Sequence, residues 1–148
     1  MTKINPFVKW AGGKTQLLKY LRKRVPVKFG TYYEPFIGGG AFLFDIQPSI
    51  ALINDINEQV INAYIQIRDN VEGVIDLITK YDNVNIDVAY YMYIRELYNR
   101  KIALHELDID SAAQMIWLNK HCFNGLYRVN NKGLFNVPYN NKKKWRIC

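Results

Sequence analysis

The chain has 148 residues, of which 49% are hydrophobic, and its formal charge at pH 7 is +7. This length allows one sizeable core and is too short for two ordinary domains. No run of 18 apolar residues and no apolar stretch of signal-peptide type is present, so we expect a soluble, cytoplasmic protein with no membrane contact. Cys122 and Cys148 are too few for a disulfide framework or a cysteine-based zinc site, and we expect no metal.

The positive charge is concentrated at the two ends of the chain. Residues 1 to 28 contain eight Lys or Arg and no acid, residues 119 to 148 contain seven and no acid, and all 13 acids lie between. A single basic block is usually a solvated surface. Two acid-free blocks that a fold can bring onto one face favour a polyphosphate partner, and we expect nucleic acid.

The first 70 residues alternate between strand and helix signals. Leu17, Leu18, Leu21 and Val25 fall near helical spacing and predict an amphipathic helix that ends near Pro26. Residues 31 to 34 are rich in β-formers and lead into three glycines and an apolar helix start. Residues 50 to 53 form a second short apolar run, which a helical pattern follows. This rhythm predicts a parallel sheet and an α/β fold.

The remainder of the chain has a helical pattern up to about His121, followed by a turn signal. Residues 126 to 129 and 134 to 137 are apolar-rich runs that flank Asn130, Asn131, Lys132 and Gly133. Because Asn and Gly accept positive φ angles, this arrangement predicts a β-hairpin. The aromatic stripe in the helical part is more typical of helix packing than of a base-stacking surface.

Two glycine clusters are candidate ligand sites. The sequence from Gly12 to Thr15 resembles part of a P-loop, but the full pattern requires a glycine where this chain has Val8. The cluster at Gly38 to Gly40 follows a predicted strand and opens a helix, so its backbone can approach a bound nucleoside closely. Asp55 ends the next strand, where a carboxylate can accept hydrogen bonds from ribose hydroxyls or, alternatively, cap the helix that follows. Together these features favour an adenosine-type ligand.

Four motifs in this chain are similar, in type and in order, to those of Dam-type DNA adenine-N6 methyltransferases. The matching segments are Phe-Val-Lys-Trp-Ala-Gly-Gly-Lys at 7 to 14, Glu-Pro-Phe-Ile-Gly-Gly-Gly-Ala-Phe at 34 to 42, Asn-Asp-Ile-Asn at 54 to 57, and Cys-Phe-Asn-Gly-Leu-Tyr-Arg at 122 to 128 with Phe-Asn-Val-Pro at 135 to 138. The resemblance covers almost the whole chain and implies a Rossmann-like S-adenosylmethionine-dependent methyltransferase sheet with an inserted helical and β-hairpin DNA-recognition region.

The resemblance also implies residue roles in binding S-adenosyl-L-methionine. Lys14 would lie near the carboxylate of the cofactor, Phe36 near its adenosine, and Asp55 at its ribose. The full set of residues expected at the cofactor is Trp10, Lys14, Glu34, Phe36, Gly38, Gly40 and Asp55.

The segment from Asn119 to Pro138 resembles the target-recognition hairpin of the family, whose common DNA target is GATC. Asn124 and Arg128 can make bidentate contacts with base edges, and Phe123 can wedge into the stack when the adenine is extruded. One departure is that Tyr139, Asn140 and Asn141 stand where many relatives carry an Arg. The residues expected at double-stranded DNA are Lys9, Lys120, Phe123, Asn124, Leu126, Arg128 and Pro138.

The Asp/Asn-Pro-Pro-Tyr/Phe loop with which this family acts on adenine does not occur in the sequence, so we assign no catalytic residue. We expect residues 1 to 70 to be the cofactor-binding part and residues 71 to 148 the target-recognition region, with its hairpin near 124 to 138. A sheet without its central strands would expose an apolar edge, through which the chain can self-associate. The chain alone is therefore expected to be a catalytically incomplete fragment, which leaves its activity and its role in restriction-modification, phage protection or regulation open.

Two other functions are compatible with parts of the sequence. A non-catalytic DNA-binding module would keep the hairpin and the basic blocks, but it gives no reason for Trp10, Lys14, Glu34 and Asp55 to be present. A nucleotide hydrolase acting through Gly12 to Thr15 would need a second acid to hold magnesium, and no such acid is in place.

Overall fold

The computed structural model describes residues 4–141. Lys3, Lys142, Lys143, Lys144, Arg146 and Cys148, which contribute to the basic blocks and the cysteine count, lie outside the described residues. Within residues 4–141, no helix is both long enough and apolar enough to span a membrane.

Two short strands form a parallel sheet, as the strand signals predict. Strand β1 is Tyr32–Glu34 and strand β2 is Ala51–Ile53, with Tyr32 opposite Ala51 and Glu34 opposite Ile53. Helix α2, Ala41–Ile46, connects them after the glycine turn. The described residues contain this two-stranded sheet, and the wider Rossmann-like sheet stays a prediction. Tyr33 and Leu52 are 68% and 56% exposed on it, and self-association there also stays a prediction.

The helix predicted to end near Pro26 is present as a continuous helical stretch over residues 14–24, but only its centre is α-helical. A 3₁₀ turn at Lys14–Leu17 leads into a one-turn helix α1 at Leu18–Leu21, and a second 3₁₀ turn at Arg22–Arg24 follows. The first turn has neither a capping side chain nor an acid, so its N–H groups lack the partners that would stabilise a longer helix. The Arg22 guanidinium instead pairs with Asp45 at the end of α2.

Helix α3, Glu58–Asp82, follows β2 and is kinked near its middle. Asn70 has non-helical angles, φ −152° and ψ 57°, and its side chain accepts a hydrogen bond from the Gly73 N–H at 3.2 Å. The side chain thus acts as a cap within the helix, which explains the kink. The predicted domain boundary at residue 70 falls at this kink, inside one helix, and the division stays a prediction.

Helices α4, Val88–Leu104, and α5, Ile109–His121, complete the helical region. Helix α5 packs against α3 and α4, and every residue from Ser111 to Asn119 is buried. A helix buried on all sides forms the centre of a core. Trp117 lies among Tyr81, Tyr90 and Tyr91, so the aromatic stripe packs between helices as predicted.

The β-hairpin predicted near residues 124 to 138 is not present as two continuous strands. The chain does reverse direction, and the only antiparallel pairings recorded for this stretch of the described residues are single bridges at Val129–Phe135 and Cys122–Tyr139. The Asn130 N–H donates to the Leu134 carbonyl and the Asn136 N–H to the Arg128 carbonyl, one bond on each side of the Val129–Phe135 bridge. The next residue on the bonding side is Pro138, which has no N–H to continue the ladder. The backbone groups of Phe135 point away from the partner segment, and side chains of α4 bind them. Asn99 binds both the N–H and the C=O of Phe135, at 2.8 and 3.0 Å, and the Tyr91 hydroxyl donates to the Val137 carbonyl at 2.8 Å.

Candidate functional site

A cavity of about 640 Å³ lies between the N-terminal segment and the glycine turn after β1. We call it the Trp10 cavity. Its lining includes six of the seven residues predicted at the cofactor, namely Trp10, Lys14, Phe36, Gly38, Gly40 and Asp55. Glu34, the seventh, does not line it and lies behind Lys14. Residues that are distant in the sequence are therefore brought together at one cavity, and their role in binding a cofactor stays a prediction.

The indole of Trp10 forms one wall of the cavity, packed between two elements. Its ring stacks on Tyr127 with centroids 4.8 Å apart and planes 11° apart. On its other flank is Gly38, which has a φ of +50°, and where a Cβ would lie 2.7 Å from Trp10 Cδ1. The close approach and the left-handed backbone both require glycine at this position.

The buried Glu34 carboxylate anchors Lys14 at the end of β1. Lys14 Nζ donates to Glu34 Oε1 at 2.8 Å and to the Phe36 carbonyl at 3.0 Å, while the Tyr32 hydroxyl donates to Glu34 Oε2 at 2.6 Å. Burial and the Glu34 charge raise the pKa of Tyr32 well above its usual range. Glu34 is 5% exposed, so its role is to hold the ammonium at the cavity rather than to reach into it.

Asp55 lines the Trp10 cavity and connects the glycine turn to the residues before α3. Its Oδ2 accepts the Gly38 N–H at 2.9 Å and its Oδ1 accepts the Asn57 N–H at 3.0 Å. The helix cap that follows is Asn57, whose side chain accepts from Gln59 and Val60. The alternative in which Asp55 caps α3 is therefore wrong. Each carboxylate oxygen has a second lone pair, so both can still accept a bond from a ligand.

The residues predicted at DNA form an exposed set. Lys9, Lys120, Phe123, Asn124, Leu126, Arg128 and Pro138 are all exposed. The Phe123 N–H donates to the Pro138 carbonyl at 2.8 Å, and Arg128 Nε donates to Asn136 Oδ1 at 3.0 Å. Lys9 and Leu126 also line the Trp10 cavity, so the exposed set reaches the rim of the cavity.

Several residues at this site were missed by the sequence reasoning. The Tyr64 hydroxyl donates to the Gly38 carbonyl at 3.1 Å, and Asn119 binds both backbone groups of Lys9, at 2.8 and 2.9 Å. Tyr127 lies within a quoted motif but was given no role. The available signal for Asn119 was its place directly after the apolar run Met115–Leu118, because a polar side chain that such a helix buries needs partners.

A family model and several known proteins are similar to this chain. The family model described as D12 class N6 adenine-specific DNA methyltransferase matches residues 10–147. The type II methyltransferase M1.LlaDCHI of Lactococcus lactis subsp. cremoris is 43% identical over 145 residues, which cover 97% of this chain and 50% of that protein.

Two other relatives are named DNA adenine methylase. The protein from Haemophilus influenzae is 36% identical over 93% of this chain and 47% of its own length. The protein from Serratia marcescens is 33% identical over 97% of this chain and 52% of its own length. The chain therefore spans about half the length of these relatives. The family model extends over nearly the whole chain, and the chain belongs to the D12 class of N6 adenine-specific DNA methyltransferases.

Proposed function

We propose that the protein binds S-adenosyl-L-methionine in the Trp10 cavity. Double-stranded DNA would bind to the residues of the exposed set, and the reaction would be methyl transfer to N6 of a flipped adenine. A GATC-type target is expected. The observation that carries the proposal is the convergence of Trp10, Lys14, Phe36 and Asp55 on one cavity. The rim of that cavity also holds Lys9 and Leu126 from the exposed set.

The donor set of the cavity fits the chemistry of this cofactor. Two of the three N–H donors of Lys14 have partners, in Glu34 and Phe36, and the third suits the cofactor carboxylate. Asp55 offers lone pairs to ribose hydroxyls, and the 74% exposed ring of Phe36 offers an apolar surface to adenine. A Cβ at Gly39 would lie 2.9 Å from the Val8 carbonyl. The glycine turn can therefore pack this closely against the N-terminal segment only because this residue has no side chain.

Bound in this cavity, the cofactor would supply an electrophilic methyl group. The contribution of the chain is to orient that group and to present DNA beside it. Asn and Arg side chains, such as those of Asn124 and Arg128, can form two hydrogen bonds with the edge of one base. Phe123 is 56% exposed, and an aromatic ring of this kind can fill the gap left by a flipped base. Lys9, Lys120 and Arg128 supply the positive charge that attracts phosphates.

We infer that these 148 residues bind their ligands without completing methyl transfer. Adenine N6 is a poor nucleophile because its lone pair is delocalised into the ring, and the sequence offers no Asp/Asn-Pro-Pro-Tyr/Phe loop to accept its protons. A methyl-transfer assay on duplex DNA containing GATC tests this inference. Transfer by the purified chain alone would overturn it.

The proposed cofactor site is tested by calorimetry with S-adenosylmethionine. Wild type is expected to bind, and Asp55→Ala to bind about 10- to 100-fold more weakly, because two hydrogen bonds to a charged acceptor are lost. The control is Asp87→Ala, which removes the cap of α4 outside the cavity and should leave the affinity unchanged.

The same measurement separates the proposal from a non-catalytic DNA-binding module. A folded wild type that shows no cofactor binding, together with salt-sensitive DNA binding that S-adenosylmethionine does not affect, would favour that module. Circular dichroism of each variant establishes that it is folded.

A further inference from the structure

A side chain of α5 holds the segment that joins the two proposed ligand sites. Asn119 Oδ1 accepts the Lys9 N–H at 2.8 Å, and Asn119 Nδ2 donates to the Lys9 carbonyl at 2.9 Å. Asn119 thereby binds both backbone groups of Lys9, as a residue of a neighbouring β-strand would. It is 2% exposed, so little water competes for these two bonds.

The two residues fixed by this contact face different ligands. The Trp10 ring packs against Gly38 in the Trp10 cavity, whereas Lys9 is exposed and belongs to the set proposed to bind DNA. The stem of Lys9 lies beside Gly125, where a Cβ would be 3.1 Å from Lys9 Cδ. A shift of this backbone would therefore move a group at each site.

Tyr127 makes a second connection between the same parts. Its ring stacks on Trp10, and its N–H donates to the Lys9 carbonyl at 3.4 Å. Its sequence neighbours Leu126 and Arg128 belong to the exposed set. Because the Tyr127 hydroxyl is bound to that of Tyr98 at 2.9 Å, α4 holds the ring in place.

We propose that Asn119 and Tyr127 are positioning residues that couple cofactor binding to DNA binding through the segment Lys9–Trp10. This proposal rests on the function proposed above. A cofactor packed against Trp10 fixes the segment, so that DNA binding to Lys9 and its neighbours then costs less ordering entropy. Linkage requires the reverse effect to be equal, so DNA strengthens cofactor binding by the same factor.

The experiment is to measure the affinity of the full chain for S-adenosylhomocysteine, alone and with saturating duplex DNA containing GATC. The ratio of the two dissociation constants is the coupling factor. In wild type we expect a factor within the range of about 5 to 150 found for coupled sites. In Asn119→Ala we expect the factor to fall toward one.

A matched variant separates coupling from general loss of stability. Asn62, like Asn119, is a buried Asn whose side chain makes two hydrogen bonds. It donates to the Asp108 carbonyl at 2.8 Å and to Ser111 Oγ at 2.9 Å, both at the opposite end of α5 from Asn119. Asn62→Ala should retain the wild-type coupling factor at a comparable loss of stability. An equal loss of coupling in both variants would overturn the role of Asn119.

Two variants of Tyr127 give an independent measurement should Asn119→Ala fail to fold. Tyr127→Phe and Tyr127→Leu lose the same hydroxyl, but only Tyr127→Leu loses the stacked ring. Coupling is expected to persist in the first and to fall in the second. Equal coupling in the two would overturn the role of the stack.

The wild-type result separates this inference from the proposed function. Binding of both ligands with a coupling factor of one would overturn the coupling and leave the proposed function standing. Failure of the folded wild type to bind S-adenosylhomocysteine would overturn the proposed cofactor site and the coupling with it.

Discussion

The rings of Trp10 and Tyr127 lie nearly parallel, with 4.8 Å between their centroids. One comes from the N-terminal segment and the other from the segment after α5, so the stack joins opposite ends of the described chain. The Trp10–Tyr127 bridge and the two bonds from Asn119 reinforce this contact. The segment Lys9–Trp10 is thus held by the helical region, whereas Lys14 is held by Glu34 of the short sheet.

Gly38→Ala is expected to destabilise the protein and weaken cofactor binding. The added Cβ meets Trp10 Cδ1 at 2.7 Å and the residue has a φ of +50°, so we expect a loss of about 2–4 kcal/mol from the clash and the backbone strain together. Gly30→Ala is the control, since a Cβ there meets nothing within 4 Å. Urea unfolding of both variants tests the expectation, which equal stabilities would contradict.

Removing the Tyr127 hydroxyl is expected to destabilise the protein more than removing that of Tyr98. The two hydroxyls are bound to each other at 2.9 Å, and Tyr98 is 0% exposed whereas Tyr127 is 7% exposed. Tyr127→Phe leaves the fully buried Tyr98 hydroxyl without this partner, at a cost of about 2–3 kcal/mol, whereas Tyr98→Phe leaves the Tyr127 hydroxyl, whose residue keeps some access to water, and costs about 1 kcal/mol. Thermal unfolding of the two variants measures the difference, and the opposite order would contradict this account.

The parts of the fold that the sequence predicts correctly depend on local chemistry. Residues 31 to 34 are rich in β-formers and residues 50 to 53 are an apolar run, and both segments contain a strand. The helix after Gly40 begins where the glycine turn ends. The expected hairpin ladder ends after the bonds donated by Asn130 and Asn136, because Pro138 has no N–H to continue it and Tyr127 pairs with Trp10. The proline is visible in the sequence, whereas the pairing of Tyr127 with the N-terminal segment is not.

The candidate site also combines features that the sequence predicts with contacts that it does not. The motifs identify Trp10, Lys14, Phe36 and Asp55, and the structure brings these residues to one cavity. The contacts that hold them there, from Asn119 and Tyr127 to the segment Lys9–Trp10, link residues from opposite ends of the chain. Periodicity and spacing describe neighbours along the chain, so they cannot predict such pairs.

Arg128→Ala and Lys120→Ala are expected to weaken DNA binding in different ways. The Arg128 guanidinium is oriented by Asn136 and suits a bidentate contact with guanine, so its loss should reduce discrimination between target and altered duplexes by about 1–3 kcal/mol. Lys120 offers a point charge, and its loss should weaken binding to all duplexes alike and lower the salt slope by about one. Fluorescence anisotropy at several salt concentrations distinguishes the two, and equal loss of discrimination in both variants would contradict the assignment.

Acid is expected to weaken the N-terminus of α5 through Asp108. Burial disfavours the charged form of this carboxyl, but hydrogen bonds from Lys101 and Ser111 outweigh that effect and hold its pKa below the usual value. Because the folded pKa is the lower one, the unfolded chain binds more protons between the two values. The stabilisation is therefore present above the unfolded pKa of about 3.9 and is lost as the pH falls through the folded pKa.

Asp108→Asn isolates this contribution, because Asn is an equally good cap but carries no charge. At pH 6 wild type should be more stable than the variant by about 1 kcal/mol, from the Lys101 pair and the helix dipole, and near pH 3 the difference should shrink. Other carboxyls titrate in both proteins and cancel in the comparison. Urea unfolding at the two pH values measures it, and a difference that does not change with pH would show that Asp108 stabilises α5 through hydrogen bonding alone.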